Sequence, residues 1–167
     1  MNREIANFCR RLSFGVCVIG VADKRSHDAF TACSVMQASY EPLLLAVSVN
    51  PEHSSYPLLR TTRSFSVNVL RKDEPDVTRH FGDGSGLEPD KLKNVSWTRG
   101  ESGAPILDAA MAWFECELTA VMPAGDHQIV LGRVVGSRIA DSEPMAMLYA
   151  DAERLDGSRR LYQESYF

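Results

Sequence analysis

No CxxC pair, no basic stripe and no apolar run of bilayer-spanning length occurs in these 167 residues, and each absence removes a class of protein. The four cysteines, Cys9, Cys17, Cys33 and Cys116, are widely and unevenly spaced, which suits neither a disulfide framework nor a zinc site. They are expected to be reduced thiols. With 18 Lys and Arg against 22 Asp and Glu, the net charge of −4 argues against a sequence-independent grip on a nucleic acid backbone. No segment is apolar for long enough to be a membrane helix, and the opening "MNREIANFCRRLSFGV" lacks the pattern of a secretory signal. A cytoplasmic protein with no nucleic acid or membrane partner is the expectation. The common catalytic signatures are missing too: there is no GxSxG, HExxH or P-loop lysine motif, and no GxGxxG opens a helix. Gly82, Gly84 and Gly86 come nearest, but they follow a helix and read as a flexible loop. His27, His53, His80 and His127 are too scattered to suggest a metal cluster.

What is present reads as one soluble domain over 1–167, with 44% hydrophobic and 24% charged residues. Ile5, Phe8, Cys9 and Leu12 fall at helical spacing, predicting a short amphipathic helix over 2–12. "GVCVIGVA" (15–22), the polar turn "DKRSHD" (23–28) and "AFTACSV" (29–35) form a hairpin pattern. Further strands are expected at "LLLAVSVN" (43–50), closed by Pro51, and at "SFSVNVL" (64–70). "SYPLLRTT" reads as a helical turn between them. "DEPDVTRHFG" (73–82) carries the acid, proline and glycine that punctuate a short helix, and "GDGSGLEPDKLKNVS" after it reads as loop. In "MAWFECELTAV" (111–121), Ala112, Phe114, Cys116, Leu118 and Ala120 alternate with Trp113, Glu115, Glu117 and Thr119, as in a strand with one buried face. "HQIVLGRVVGSRI" (127–139) is a long strand interrupted by glycine, and "MAMLYA" (145–150) is a last candidate. Many short strands with helices too few to cover a parallel sheet favour a mainly β fold with peripheral helices, an antiparallel closed or partly closed barrel.

Three polar clusters stand out from this pattern. "TACS" at 31–34 ends a strand with small side chains that let a ligand approach the backbone, while Thr31 and Ser34 add hydroxyls. Its alternative is a plain polar strand end. "NPEHSSY" at 50–56 joins a strand end to a helix start, where Ser54 or Ser55 serves an anion, caps the helix, or does both. "GDHQIVLGRV" places His127 at the start of a strand on the barrel rim, where it either meets a ligand or is simply solvated.

These clusters, in this order, resemble the flavin reductase-like family of split-barrel proteins, NAD(P)H-dependent reductases of FMN or FAD that often serve two-component monooxygenases. The resemblance is carried by "FGVCVIGV", "AFTACSVMQASYEPLLLAVSVN", "HSSYPLL", "FSVNVL", "HFG", "GAPILDAAMAWFECEL" and "GDHQIVLGRV". It implies a six-stranded antiparallel Greek-key split β-barrel, a homodimer with flavin near the subunit interface, and a flavin-dependent monooxygenase as recipient of the reduced flavin. Thr31, Ala32, Cys33 and Ser34 would then meet the isoalloxazine and ribityl chain. Ser48, Val49 and Asn50 would follow along the ring edge or the ribityl chain. His53, Ser54 and Ser55 would lie near the phosphate, Phe81 and Gly82 would line the same pocket, and His127 would help hold the nicotinamide. Two clusters bracketing one strand suit an elongated ligand with a planar ring at one end and a phosphate at the other.

The chain departs from the family pattern at Cys33, where asparagine or serine is common, and in its tail. From Leu148 it reads "LYADAERLDGSRRLYQESYF" rather than a "GRY"-like ending, so Tyr162, Tyr166 and Phe167 either staple subunits or cover part of the site. Two rival functions share the fold. One is a carrier that binds flavin or haem without turnover, and the other is a flavoenzyme acting directly on an organic substrate.

Overall fold

The computed structural model describes residues 8–9, 11–82, 90–140 and 145–152. The tail from 153, most of the expected helix over 2–12, and Gly84 and Gly86 lie outside the described residues. Nine strands and two helices follow one another among those described. They are β1 (Cys17–Ala22), β2 (His27–Ala32), β3 (Val35–Tyr40), β4 (Leu43–Val49), α1 (Tyr56–Thr62), β5 (Ser64–Leu70), α2 (Pro75–Gly82), β6 (Trp97–Arg99), β7 (Pro105–Leu107), β8 (Ala110–Ala124) and β9 (His127–Ile139). Seven of the strands form one antiparallel sheet in the order β2-β1-β5-β8-β9-β4-β3, and β6 pairs with β7 alone.

The sheet curls so that β1, β2, β4, β5, β8 and β9 enclose a core of Ile19, Phe30, Val47, Phe65, Cys116 and Val130. A second core lies on the other face of β1, where Val16, Val18 and Leu70 pack with Phe81 of α2, Leu92, Leu107 and Met147. β1 is therefore buried on both faces along its whole length. That is why "CVIGVA" is continuously apolar where a half-exposed strand would alternate. Gly20 sits at the tightest point, since a Cβ there would come within 2.6 Å of both the Pro105 carbonyl and Ser66 Oγ.

The hairpin expected at 15–35 is present, with a tighter turn. Asp23 Oδ1 accepts from the backbone of Arg25 and Ser26, and β2 starts at His27. Its far end splits: β2 stops at Ala32, and Val35 begins β3, an edge strand the sequence pattern does not announce because Met36, Gln37 and Ala38 are all exposed. The last expected strand, 145–150, is reduced to two isolated bridges, Gly15 with Leu148 and Arg71 with Ala146. In β8 the alternation holds, with Glu115 opposite Ser66 and Cys116 opposite Phe65, yet Glu115 is only 3% exposed because the turn at 100–102 covers its face. Its carboxylate accepts from the backbone N–H groups of Glu101 and Ser102 and from the Ser102 hydroxyl.

A second buried polar knot joins β5 to β7. Asn68 Nδ2 donates to the Val18 carbonyl (3.1 Å), to Ser66 Oγ (3.1 Å) and to the Pro105 carbonyl (3.3 Å), while its Oδ1 accepts from Leu107 N–H (2.9 Å). The Ser66 hydroxyl also donates to Pro105 O. Among the described residues, no buried side-chain nitrogen or oxygen lacks a partner.

Candidate functional site

Four elements converge at one end of the barrel. The end of β2 is tied to β4 through Ser48 N–H donating to the Ser34 carbonyl at 3.0 Å. β4 pairs with β9 so that Val49 faces Gln128, which sets His127 next to the position where the chain leaves β4 at Asn50. Asn50 then turns the chain, its Oδ1 accepting from Glu52 N–H and its carbonyl from His53 N–H. Pro57 sits in the first turn of α1, where its missing N–H leaves no bond unmade.

The residues expected near a phosphate are brought together. The ring of His53 stacks on Phe30 of β2, with centroids 5.0 Å apart and planes 24° apart. Ser54 Oγ donates to Asp28 Oδ2 at 3.1 Å and Ser55 Oγ to the same oxygen at 2.6 Å. Asp28 Oδ1 accepts from Ala29 N–H at 2.8 Å. Ser55 stands at the N-cap position of α1 but makes no capping bond, so the helix-capping alternative fails: its hydroxyl is committed to Asp28.

The structure adds two residues that sequence reasoning missed, Asp28 and Lys91. Lys91, read as part of a loop, is only 5% exposed and donates from Nζ to the Ala29 carbonyl at 3.1 Å. Burial pulls its ammonium below the usual lysine range, and the charge of Asp28 opposes that shift. The imidazole of His53 is likewise held below its ordinary value, by burial first and then by the nearby charges of Lys91 and His127, with Asp28 acting the other way. Lys91, Asp28, His53 and His127 thus share one electrostatic neighbourhood. On the other side of the cluster, His27 Nε2 is 3.1 Å from Asp90 Oδ1 and its ring leans on Trp97. Nothing in the local pattern of "EPDKLKN" marks Lys91 as buried; the signal is the distant Asp28, visible only once β2 and the loop meet.

The remaining expected residues divide. Thr31 is half-buried and donates to the Thr78 carbonyl of α2 at 3.2 Å, Cys33 is half-buried, and Ser34 is exposed. Ala32 and Val49 are buried, so each can offer a ligand little beyond its backbone, whereas Ser48 and Asn50 are half-buried. The ring of Phe81 is 2% exposed and belongs to the second core, while Gly82 beside it is partly exposed. His127 lies at the tip of the β8–β9 hairpin, with Nδ1 2.8 Å from Asp126 Oδ1 and about a quarter of its side chain exposed (27%). The positive φ of 69° at Gly125 is what allows that tight turn. No group of three or more metal-ligating side chains occurs among the described residues.

This arrangement brings the small residues at 31–34 to one end and, at the other, a buried ammonium and two hydroxyls bonded to Asp28. Residues 9–157 match the family model described as flavin reductase like domain. The chain is 30% identical over 149 residues to the FMN reductase (NADH) RutF 2 of Rhizobium rhizogenes, covering 89% of this chain and 85% of that one. It is 32% identical over 133 residues to the reductase component of a flavin-dependent trigonelline monooxygenase from Acinetobacter baylyi, covering 79% of this chain and 42% of that one. Against two such curated relatives the chain spans about two-fifths of their length. Among solved structures, the NADH:FAD oxidoreductase SgcE6 of Streptomyces globisporus superposes with a TM-score of 0.81 at 28% identity, covering 90% of this chain and 89% of that one. That protein has also been solved in complex with NAD and FAD fragments.

Proposed function

The chain belongs to the flavin reductase like domain family, and from that premise we propose that it is an NAD(P)H:flavin oxidoreductase that supplies reduced FMN or FAD to a partner monooxygenase. The observation that carries the reading is the pair of Ser54 and Ser55 hydroxyls gathered on Asp28, with the buried ammonium of Lys91 near enough to feel that carboxylate, one short strand away from the small residues at 31–34. A cation sealed from water with a single hydrogen bond in place has donors to spare, and a phosphate is the anion that fits two hydroxyls and an ammonium together. In this reading the phosphate lies against Lys91, His53, Ser54 and Ser55. The isoalloxazine and ribityl chain run past Thr31, Ala32, Cys33 and Ser34 and along Ser48, Val49 and Asn50, with Gly82 at the margin.

When bound, the flavin ring supplies the chemistry, accepting a hydride at N5 from NAD(P)H. The protein's part is to stack and align the two rings, a proximity effect that needs no protein acid or base. His127 holds the nicotinamide from the hairpin tip, its ring fixed by Asp126. About a quarter exposed, it binds and orients.

The protein is further read as a single-domain homodimer of the cytoplasm. The dimer reading draws on the apolar side chains left exposed on and beside the edge strand β3, where Met36 is 63% and Tyr40 85% exposed. No helix among the described residues is long and apolar enough to cross a membrane, and the four cysteines form no disulfide. The test is anaerobic NADH oxidation by flavin-stripped protein with added FMN and, separately, FAD. Catalytic bleaching of either flavin is the expected result. Tight flavin binding without bleaching by NADH or NADPH would instead favour the carrier.

A further inference from the structure

We propose that Asp28 is a built-in competitor for the flavin phosphate, a carboxylate placed inside the anion site that keeps flavin loosely held and therefore releasable. The inference rests on the flavin-reduction reading and extends it to the way the site lets its product go.

The argument starts from proton counting. A serine hydroxyl carries one proton and can donate one hydrogen bond. Ser54 and Ser55 both spend theirs on Asp28 Oδ2, at 3.1 and 2.6 Å. A phosphate that needs those hydroxyls has to take them from the carboxylate. Asp28 cannot swing far aside, because its other oxygen is held by the adjacent Ala29 N–H at 2.8 Å. The same carboxylate acts on Lys91 and on His53. A phosphate arriving here thus meets an ammonium already partly balanced by a fixed negative charge, and it is repelled by that charge at short range.

A carboxylate is a poor choice for a site built only to bind an anion tightly. It is a sensible one for a site that must give up its flavin, since differences in affinity between related complexes are expressed mostly in the dissociation rate. Asparagine would keep the shape of Asp28 and an oxygen for the serines while removing the charge.

The test compares FMN with riboflavin, which has the same ring and ribityl chain but no phosphate, by flavin fluorescence titration of the full chain. Asp28→Asn is expected to tighten FMN roughly tenfold while leaving riboflavin within about twofold. Unchanged or weaker FMN binding overturns the proposal, and so does equal tightening of both flavins. Lys91→Gln keeps the decision open should Asp28→Asn fail to fold: FMN should weaken roughly tenfold with riboflavin unmoved. Equal effects of Lys91→Gln on the two flavins would mean the phosphate lies elsewhere, and the proposal falls. If the unaltered chain binds neither flavin, the reduction reading itself falls, which separates that failure from this one.

Discussion

Two polar clusters lie in this barrel, a buried one around Asn68 and a half-buried one around Asp28, and they are wired in opposite ways. Every bond of Asn68 except one goes to backbone, and it carries no charge. Around Asp28 the bonds run mainly from side chain to side chain, opposite charges sit close together, and both an imidazole and an ammonium are held away from their ordinary protonation range. The first arrangement satisfies an existing fold. The second keeps donors and charge that a ligand can reorganise. The kind of partner, more than the number of bonds, sets the two clusters apart.

The comparison breaks if a substitution at Asn68 changes ligand behaviour, or if one at the site chiefly changes stability. Asn68→Leu is expected to have the largest effect, a loss of about 3 kcal/mol, because the Leu107 N–H and two carbonyls lose partners inside the core. A urea melt reads it, and the ratio of FMN to riboflavin affinity should stay put. Gly132→Ala should cost about 2 kcal/mol by overpacking, since the new methyl would press on the Phe65 ring and on Cys116 Cβ. It too should leave the affinity ratio alone.

At the other cluster the expected changes are functional. His127→Ala should raise the NAD(P)H KM roughly tenfold with flavin affinity little changed, the loss of a uniform binding contact. Steady-state kinetics at fixed flavin reads this, and unchanged KM and flavin affinity together would remove the assigned role. The smallest effect should come from His53. Its folded pKa lies below its ordinary 6.5, so the unfolded chain takes up the proton first. Stability is then complete above about 6.5 and declines as the pH falls below it, until the folded imidazole protonates as well. In His53→Asn that part of the slope should vanish from Tm measured between neutral and mildly acidic pH.

The strands at 43–49, 64–70 and 127–139 and the helix at 75–82 were legible in the sequence, because alternation, proline and glycine are local signals. β3 was not legible, since its exposed face carries no hydrophobic alternation. Glu115 lies on the face its alternation gives it, but its burial was not legible, because the turn at 100–102 that covers that face is distant in sequence. Ser54, Ser55 and His53, singled out by the helix start and the family resemblance, do gather around Asp28. The burial of Phe81 in the second core was not legible, because a motif is read along the chain while burial is decided across it. Lys91 and Asp28 lie 63 positions apart in sequence, and a long-range charge pair has no local period to betray it.

The placement of the four cysteines carries a chemical consequence of its own. Burial pushes the thiols of Cys17 and Cys116 up to about 12, so at neutral pH almost none of either is thiolate. A reductase of the proposed kind works beside reduced flavin, which reacts with air to give hydrogen peroxide, and peroxide attacks thiolates. Deep in the barrel these two sulfurs escape that oxidative wear. Cys33, half-buried at the mouth of the proposed pocket, does not share their shelter. Sulfur oxidation during turnover should therefore begin there and spare the core, so that the protein loses activity before it loses its fold.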